Sequence, residues 1–429
     1  MNLNIYISSG KMLMVDCGLM FEDPDKQLLV NEDQVIVPDI SFVAANREHL
    51  EGIVITHAHE DHIGALPLLW DQLRVPIYTT AFTAEVLRRK CRAKHHRKLV
   101  EYIIETDSFE QHQISGFEVT WIPMTHSTFE GHGLFIKTEL GSVFHTGDWK
   151  LDSNPGLGRG FESSLLTDIA ARQPKAIICD STNALKSGHS LSERDVAEGL
   201  EKLICEQQGR VLVSCFASNI ARLVALAKAA QKSKRYLCLL GRSLENMYHI
   251  TRAVGAWPEG LNIYPAKEIA YLPRNETLIV ATGSQGEPRA ALARLAQNRH
   301  PVLELERGDC VVFSSMRIPG NEPAIDRLVN AFKAQGVDVF EAKNAPHVIH
   351  ASGHPNQDEL ETLYRAIKPK LAIPTHGEDA HLKQNAAIAK QCGVARQLTG
   401  RNGDLFQISP TSHCSKNFCK TGRMVLENR

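Results

Sequence analysis

Residues 53–64 read Ile53-Val54-Ile55-Thr56-His57-Ala58-His59-Glu60-Asp61-His62-Ile63-Gly64. An apolar, β-branched run ends at Thr56, and four metal-type side chains follow in the spacing His-x-His-x-Asp-His. Along an extended loop alternate residues face one side, so His57 and His59 can grip one ion. Asp61 and His62, turning into the next helix, can face a second ion beside it. So short a segment closes neither site by itself. It predicts further His or Asp residues at the ends of other strands.

Such partners exist. Val119-Thr120-Trp121-Ile122-Pro123-Met124-Thr125 leads into His126, Ser142-Val143-Phe144-His145-Thr146-Gly147 into Asp148, and Lys370-Leu371-Ala372-Ile373-Pro374-Thr375 into His376. A further run, Ala176-Ile177-Ile178-Cys179, ends at Asp180-Ser181-Thr182-Asn183. Each apolar strand delivers its polar residue at its C-terminal end. His57, His59 and His126 can hold a first divalent ion, in a tetrahedral or five-coordinate site completed by water. Asp61, His62 and His376 can hold a second, and Asp148, with two carboxylate oxygens, is the natural bridge. Two-metal sites keep their ions about 3.5–4 Å apart and clamp the attacking and leaving oxygens of an in-line displacement, which is phosphodiester or amide hydrolysis. A lone histidine such as His126 reads more simply as a structural residue. Four metal-type residues within six, with matching strand ends elsewhere, do not.

At 429 residues the chain can form two domains, or one interrupted by another. With 43% apolar and 23% charged residues it has an ordinary globular composition. No run approaches the apolar length of a membrane span, and Met1-Asn2-Leu3-Asn4-Ile5-Tyr6 carries no basic leader, so a cytoplasmic protein is expected. The ten cysteines include no Cys-x-x-Cys pair, which argues against a disulfide framework. Cys414 and Cys419 fall in a polar tail that reads as a disordered end. A net charge of −1 excludes a generally basic nucleic-acid coat and leaves room for a local basic groove. The run Arg88, Arg89, Lys90, Arg92, Lys94, His95, His96, Arg97 and Lys98, closing a helix expected over 83–97, reads equally as a solvated face or an RNA-contacting patch.

Between about 193 and 340 the texture changes to strict strand–helix alternation, the mark of a parallel, doubly wound sheet. Ser192, with Asp195 three residues on, can cap the first helix there. After it the strand-end histidines return. The expected fold is α/β: one αββα domain built from residues 1–187 and 348–410, interrupted by an inserted parallel-sheet domain over 188–347, with a tail over 411–429.

At these residues the sequence resembles the metallo-β-lactamase fold, and within it the β-CASP nucleases of the ribonuclease J family. The resemblance rests on the 56–65 motif together with Asp16-Cys17-Gly18-Leu19-Met20-Phe21, His126, Thr146-Gly147-Asp148, Asp180-Ser181-Thr182-Asn183, Thr282-Gly283-Ser284-Gln285-Gly286-Glu287-Pro288, Ser352-Gly353-His354 and His376-Gly377-Glu378. It spans nearly the whole chain. It implies two Zn2+ ions, with Mn2+ or Mg2+ as substitutes, on His57, His59, His126, Asp61, His62, His376 and Asp148. It further implies that Asp16 and Asp180 orient ligand histidines and that His354 contacts the scissile phosphate, as a general acid to the leaving 3′-oxygen. Ser352 and Gly353 would seat a nucleotide phosphate. In the inserted domain Ser218 and Asn219, and Ser284 and Gln285, could offer N–H groups to phosphates, against the plainer reading of helix capping. The family's Gly-rich opening loop has no counterpart ahead of Met1. Thr128-Phe129-Glu130-Gly131-His132 differs from the family's Pro-containing loop. The family's C-terminal domain, a support of its dimers, is missing.

The resemblance therefore implies a ribonuclease of RNA processing or decay, endonucleolytic and 5′→3′ exonucleolytic. Single-stranded RNA is the expected substrate, since a histidine at the His376 position goes with RNA in this family. No membrane is expected as a partner; a homodimer and RNA-decay proteins remain open. The alternatives are a β-CASP nuclease acting on DNA, a small-molecule metallohydrolase, and a catalytically idle RNA-binding scaffold of the same fold.

Overall fold

The computed structural model describes residues 1–21, 30, 34–93, 96–318 and 320–427. The chain divides into two compact units. The first comprises Met1–Ser153, Arg159–Ser190 and Gly353–Arg429, the second Asn154–Gly158 and Leu191–Ser352. The borders expected at 188 and 348 fall at Leu191 and Gly353, and a short segment, Asn154–Gly158, joins the second unit.

Among the described residues the first unit holds two large sheets. One runs in the order Asn4–Ser8, Lys11–Val15, Leu50–Val54, Ile77–Thr79, Ile103–Glu105, antiparallel only in its first pair. The other runs Arg396–Gln397, Leu371–Thr375, Ala176–Asp180, Gly141–His145, His132–Thr138, Phe117–Pro123, Gln111–Ile114. Its first four strands are parallel and the rest antiparallel. Side chains of a strand alternate between its two faces. Ala176 and Ile178 accordingly join one core with Leu13, Val15 and Val54 of the five-stranded sheet and with Trp121, Leu134 and Ile373. Ile177 and Cys179 turn to the opposite face, where Leu165, Leu166, Leu360, Leu363, Tyr364 and Ile388 cover it. Those residues belong to the helices Ser164–Ala171, Gln357–Ile367 and Asp379–Gln391. The alternation yields the αββα sandwich, and burying each large apolar side chain contributes about 1.5–3 kcal/mol.

The second unit is a single parallel sheet in the order Tyr236–Leu240, Thr277–Ala281, Val211–Ser214, Cys310–Phe313, Asp338–Phe340. Its central strands are buried on both faces, as covered parallel strands must be. The first helix starts in the expected capping box: Asp195 accepts from the Ser192 N–H, and Ser192 Oγ accepts from Arg194 N–H at 3.1 Å. Arg222, fully buried, forks onto Glu193 at 3.0 and 2.8 Å and donates to the Ser314 carbonyl at 3.0 Å, so its charge is paired and its donors are used.

Two local expectations need correction. The tail is ordered: Arg423–Glu427 pairs antiparallel with Gln34–Pro38, and Leu405–Gln407 with His413–Ser415. Val35, Ile36 and Val37 are buried, and their backbone groups need a partner strand, which Met424, Val425 and Leu426 supply. The single helix expected over 83–97 is instead Ala81–Ala93 and Arg97–Val100. In its basic run Arg88 pairs with Glu105, Arg89 with Glu85 at 2.9 Å and Lys90 with Glu60 at 2.6 Å, the pattern of a solvated face. Lys94 and His95 lie outside the described residues, as does most of the acidic segment after Phe21.

Candidate metal centre

Parallel pairing explains how residues about 200 positions apart meet. Ala176–Asp180 lies in register with Leu371–Thr375, Asp180 opposite Thr375, so Asp180 and His376 emerge side by side. Gly141–His145 pairs parallel with the same strand and brings Asp148 to the same edge. The loops bearing His126 and Asp148 are laced by Thr125, whose carbonyl accepts from Lys150 N–H at 2.8 Å and whose hydroxyl donates to the Lys150 carbonyl at 2.6 Å. From the same sheet Trp121 donates its indole N–H across to the Ile55 carbonyl, just past the strand Leu50–Val54 of the facing sheet, at 3.1 Å, fixing the segment just before His57.

At this edge two groups of side chains converge, His57, His59, His126 and Asp148 in one, Asp61, His62, Asp148 and His376 in the other. All seven residues singled out in the sequence as ligands are among them, and Asp148 belongs to both groups. His57 Nε2 and His126 Nε2 lie 3.0 and 3.1 Å from His59 Nδ1 and 3.8 and 3.7 Å from Asp148 Oδ2. His62 Nε2 lies 3.2 Å from Asp148 Oδ2 and 3.5 Å from Asp61 Oδ2, which is 3.4 Å from His376 Nε2. Nitrogen and oxygen ligands about 2.0–2.1 Å from a tetrahedral zinc stand roughly 3.3 Å from one another. The donor atoms are thus spaced as ligands around an ion, and the residues fit a divalent metal.

The outer atoms of the rings decide which nitrogen faces inward. Asp16 accepts from Thr56 N–H at 2.9 Å and Thr56 Oγ–H at 2.8 Å, and from His62 Nδ1–H at 2.7 Å. With its hydrogen given to Asp16, Thr56 Oγ1 accepts from His57 Nδ1–H at 3.0 Å. Thr182 repeats the device. It donates to Asp180 Oδ1 at 2.6 Å and accepts from His376 Nδ1–H at 2.6 Å. His126 Nδ1–H donates to the Gly353 carbonyl at 2.7 Å. Four imidazoles therefore hold their Nδ1 protons outward and turn Nε2 toward the centre, the arrangement that partners of metal-bound histidines impose. Asp16 and His376 both take left-handed backbone, at φ 61° and 54°. Such conformations cost about 1–3 kcal/mol in residues other than glycine and persist where the surroundings dictate them.

Electrostatics follow the donor sets. Burial, with like-charge repulsion from His62 and His59, holds His57 well below its ordinary pKa, and burial with repulsion from His59 does the same to His126. Burial lowers His59 to about 4. These three stay neutral, as ligands must. Burial would also lower His62, but Asp148, Asp61 and Asp16 outweigh it and raise it to about 10. Burial likewise opposes the charging of His376, and Asp148, with Asp180 and Asp61, raises it well above its ordinary value. The second group thus attracts positive charge, and protons there compete with a metal.

His354 sits beside this cluster. Its Nδ1–H donates to Asp180 Oδ2 at 2.7 Å, and its ring stacks on His376 with centroids 5.5 Å apart. Burial opposes its charging, yet the Asp180 carboxylate outweighs it and raises the pKa. A Cβ on Gly353 would meet Ser127 Oγ at 2.6 Å and the His126 ring at 2.8 Å, so the close approach of that ring requires glycine. Ser352, Ser218, Asn219 and Ser284 lie in the second unit. Asn219 spends its side-chain oxygen on the Arg222 N–H at 3.0 Å, capping its own helix. Gln285 donates to the Met316 carbonyl at 2.8 Å and accepts from Ile318 N–H at 3.0 Å, a loop-bracing role. Thr56, Thr182 and the Gly353 carbonyl were missed as orienting groups. The signal for the two threonines was available, a hydroxyl directly before His57 and another two residues past Asp180.

Known proteins share these domains. A model described as "Beta-lactamase superfamily domain" matches residues 14–203, "Ribonuclease J, beta-CASP domain" matches 208–332, and "Zn-dependent metallo-hydrolase RNA specificity domain" matches 344–393. The chain is 40% identical to a ribonuclease J of Sinorhizobium meliloti, over 96% of this chain and 72% of that one. It is 33% identical to one of Helicobacter pylori strain B128, over 100% of this chain and 62% of the relative, so it spans less than two thirds of that protein. A solved structure of a protein of unknown function from Enterococcus faecalis V583 shares the fold, with a TM-score of 0.64 at 14% identity over 99% of this chain and 96% of that one. With the seven His and Asp side chains converging at one sheet edge and a relative matched over most of its length, the chain belongs to the ribonuclease J family of metal-dependent β-CASP ribonucleases.

Proposed function

We propose that this chain hydrolyses phosphodiester bonds of single-stranded RNA, internally and from the 5′ end, with two divalent ions, zinc by preference and Mn2+ or Mg2+ as substitutes. The observation that carries the reading is the fixed inward orientation of four Nε2 atoms toward the carboxylates of Asp61 and Asp148. Divalent ions there supply charge to neutralise phosphate oxygens and to acidify a water. His57, His59 and His126, all neutral, suit a first ion of zinc's softness, while the carboxylates of Asp61 and Asp148 make the second position harder.

His354 is placed to act on the leaving group. Its pairing with Asp180 raises its pKa above the ordinary value, which favours the proton it would give to the departing 3′-oxygen. General acids of this kind contribute about 10²–10⁴ in rate. The products are a 3′-hydroxyl and a 5′-phosphate. Ser352, Gly353, Ser218, Asn219 and Ser284 are the proposed phosphate contacts. RNA is favoured over DNA by the RNA-specificity model matched at 344–393 and by the similarity to ribonucleases J. The proposed setting is cytoplasmic RNA, with the chain acting as a homodimer or beside other RNA-decay proteins; no helix among the described residues is long and apolar enough to cross a membrane.

The test is a panel of one sequence as 5′-monophosphate, 5′-triphosphate and 5′-hydroxyl RNA beside single-stranded DNA. Cleavage of the RNAs with little of the DNA is expected. Equal or better cleavage of DNA would sink the RNA reading, and no cleavage by a chain carrying two ions would favour the scaffold.

A further inference from the structure

Each of the four inward-facing histidines has an orienting partner in the fold: Asp16 for His62, Thr56 for His57, the Gly353 carbonyl for His126 and Thr182 for His376. Asp61 stands apart. Its side chain is 38% exposed, whereas His62 and Asp148 beside it are 2% and 4% exposed, so burial does not hold it. A short carboxylate at a helix start has several rotamers to choose from. Besides His62 and His376, the other members of its own donor group, the described residues place a side-chain donor against its Oδ2.

That donor is Asn2. Its backbone N–H donates to the Asp61 carbonyl at 2.7 Å, and its own carbonyl accepts from Gly18 N–H at 2.9 Å. A Cβ on Gly18 would lie 1.6 Å from the Asp61 carbonyl oxygen, so this segment packs against Asp61 as closely as backbone permits. From this clamped position the Asn2 carboxamide donates to Asp61 Oδ2 at 3.0 Å and approaches the Asp61 carbonyl at 3.3 Å. The same nitrogen lies 2.9 Å from His62 Nε2, so it borders two of the four side chains that would hold the second ion. A carboxylate oxygen has two lone pairs, one for an amide N–H and one for a metal. The carboxamide is also neutral, so it orients the ligand without opposing a cation as Lys or Arg would.

We infer that Asn2 is a positioning residue for the second metal ion, holding Asp61 Oδ2 in the ligand orientation. The inference rests on the two-ion reading above. Partners that orient metal ligands typically account for about 10–100-fold in affinity. The metal-free 429-residue chain is titrated with Zn2+ against a chromophoric chelator, and two binding steps are resolved for the wild type, Asn2→Leu and Asn2→Gln. Leucine keeps the shape and removes the hydrogen bond, and glutamine keeps the carboxamide. Asn2→Leu is expected to weaken only the second step, by about 10–100-fold, with Asn2→Gln recovering part of the loss. Wild-type binding of both ions by Asn2→Leu, no recovery in Asn2→Gln, or an equal fall in both steps overturns the inference. A wild type that binds a single ion overturns the two-ion reading itself, a result separable from failure of Asn2 alone.

Discussion

Four of the proposed ligands at this edge, His57, His62, His126 and His376, are specified twice, by their own identity and by the atom behind them. The identities were legible: the His-x-His-x-Asp-His spacing with His126, Asp148 and His376 is visible without coordinates. The atoms behind them were only partly so. Asp16 and Asp180 came from family resemblance, while Thr56, Thr182 and Asn2 went unread because their roles depend on which lone pair or proton is left over. His376→Ala removes an Nε2 from the second group and leaves His57, His59, His126 and Asp148 of the first intact. Elemental analysis should therefore find one ion per chain, and RNA turnover should fall by about 10² or more, as when an electrostatic contact to the transition state is lost. Retention of both ions with full activity would contradict the assignment of His376. His354→Ala should do the opposite: both ions stay, and single-turnover cleavage slows by about 10²–10⁴. Loss of an ion in that variant would make His354 a ligand, an option that its place in a third His/Asp cluster with Asp148, Asp180 and His376 leaves open.

At the scale of the element, strand ends do the positioning and the sheet core fixes the strands. The alternation along Ala176–Asp180 and Leu371–Thr375 was readable in the sequence, and it sets which residue exits at the edge. The ordered tail was not readable, because the hydrophobic demand that recruits Arg423–Glu427 lies some 390 residues earlier, in Gln34–Pro38. His132 opens the strand His132–Thr138 with its ring buried, its Nδ1 2.9 Å from the Glu130 carbonyl and its Nε2 2.9 Å from Ser108 Oγ. Burial lowers its pKa to about 4, against an ordinary value of 6.5. A histidine harder to protonate when folded stabilises the fold fully above its unfolded pKa, and that stability is lost as pH falls through the window from 6.5 to about 4. Over that window the contribution amounts to about 3 kcal/mol. Urea unfolding of the metal-free chain should therefore weaken toward pH 4, and His132→Gln should flatten that limb. An unchanged slope in the variant would show that other groups carry the acid sensitivity.

For the whole molecule, the sequence showed an interrupted sandwich with an inserted parallel sheet because the two textures differ in kind. One ends its strands in His and Asp; the other ends them in small and polar turn residues. The borders shifted by a few residues since Asn154–Gly158 and Leu191 carry no compositional mark of the unit they join. What the assembled chain does comes down to the fate of one oxygen atom. The decisive measurement is cleavage of a single-stranded RNA in ¹⁸O-enriched water, with the product ends read by mass spectrometry and a chelator-treated control beside it. The account predicts one ¹⁸O in the 5′-phosphate for every bond cut, a 3′-hydroxyl on the other fragment and no cutting in the control. Products with 3′-phosphate or 2′,3′-cyclic ends, or cutting that survives removal of the metal, would contradict it.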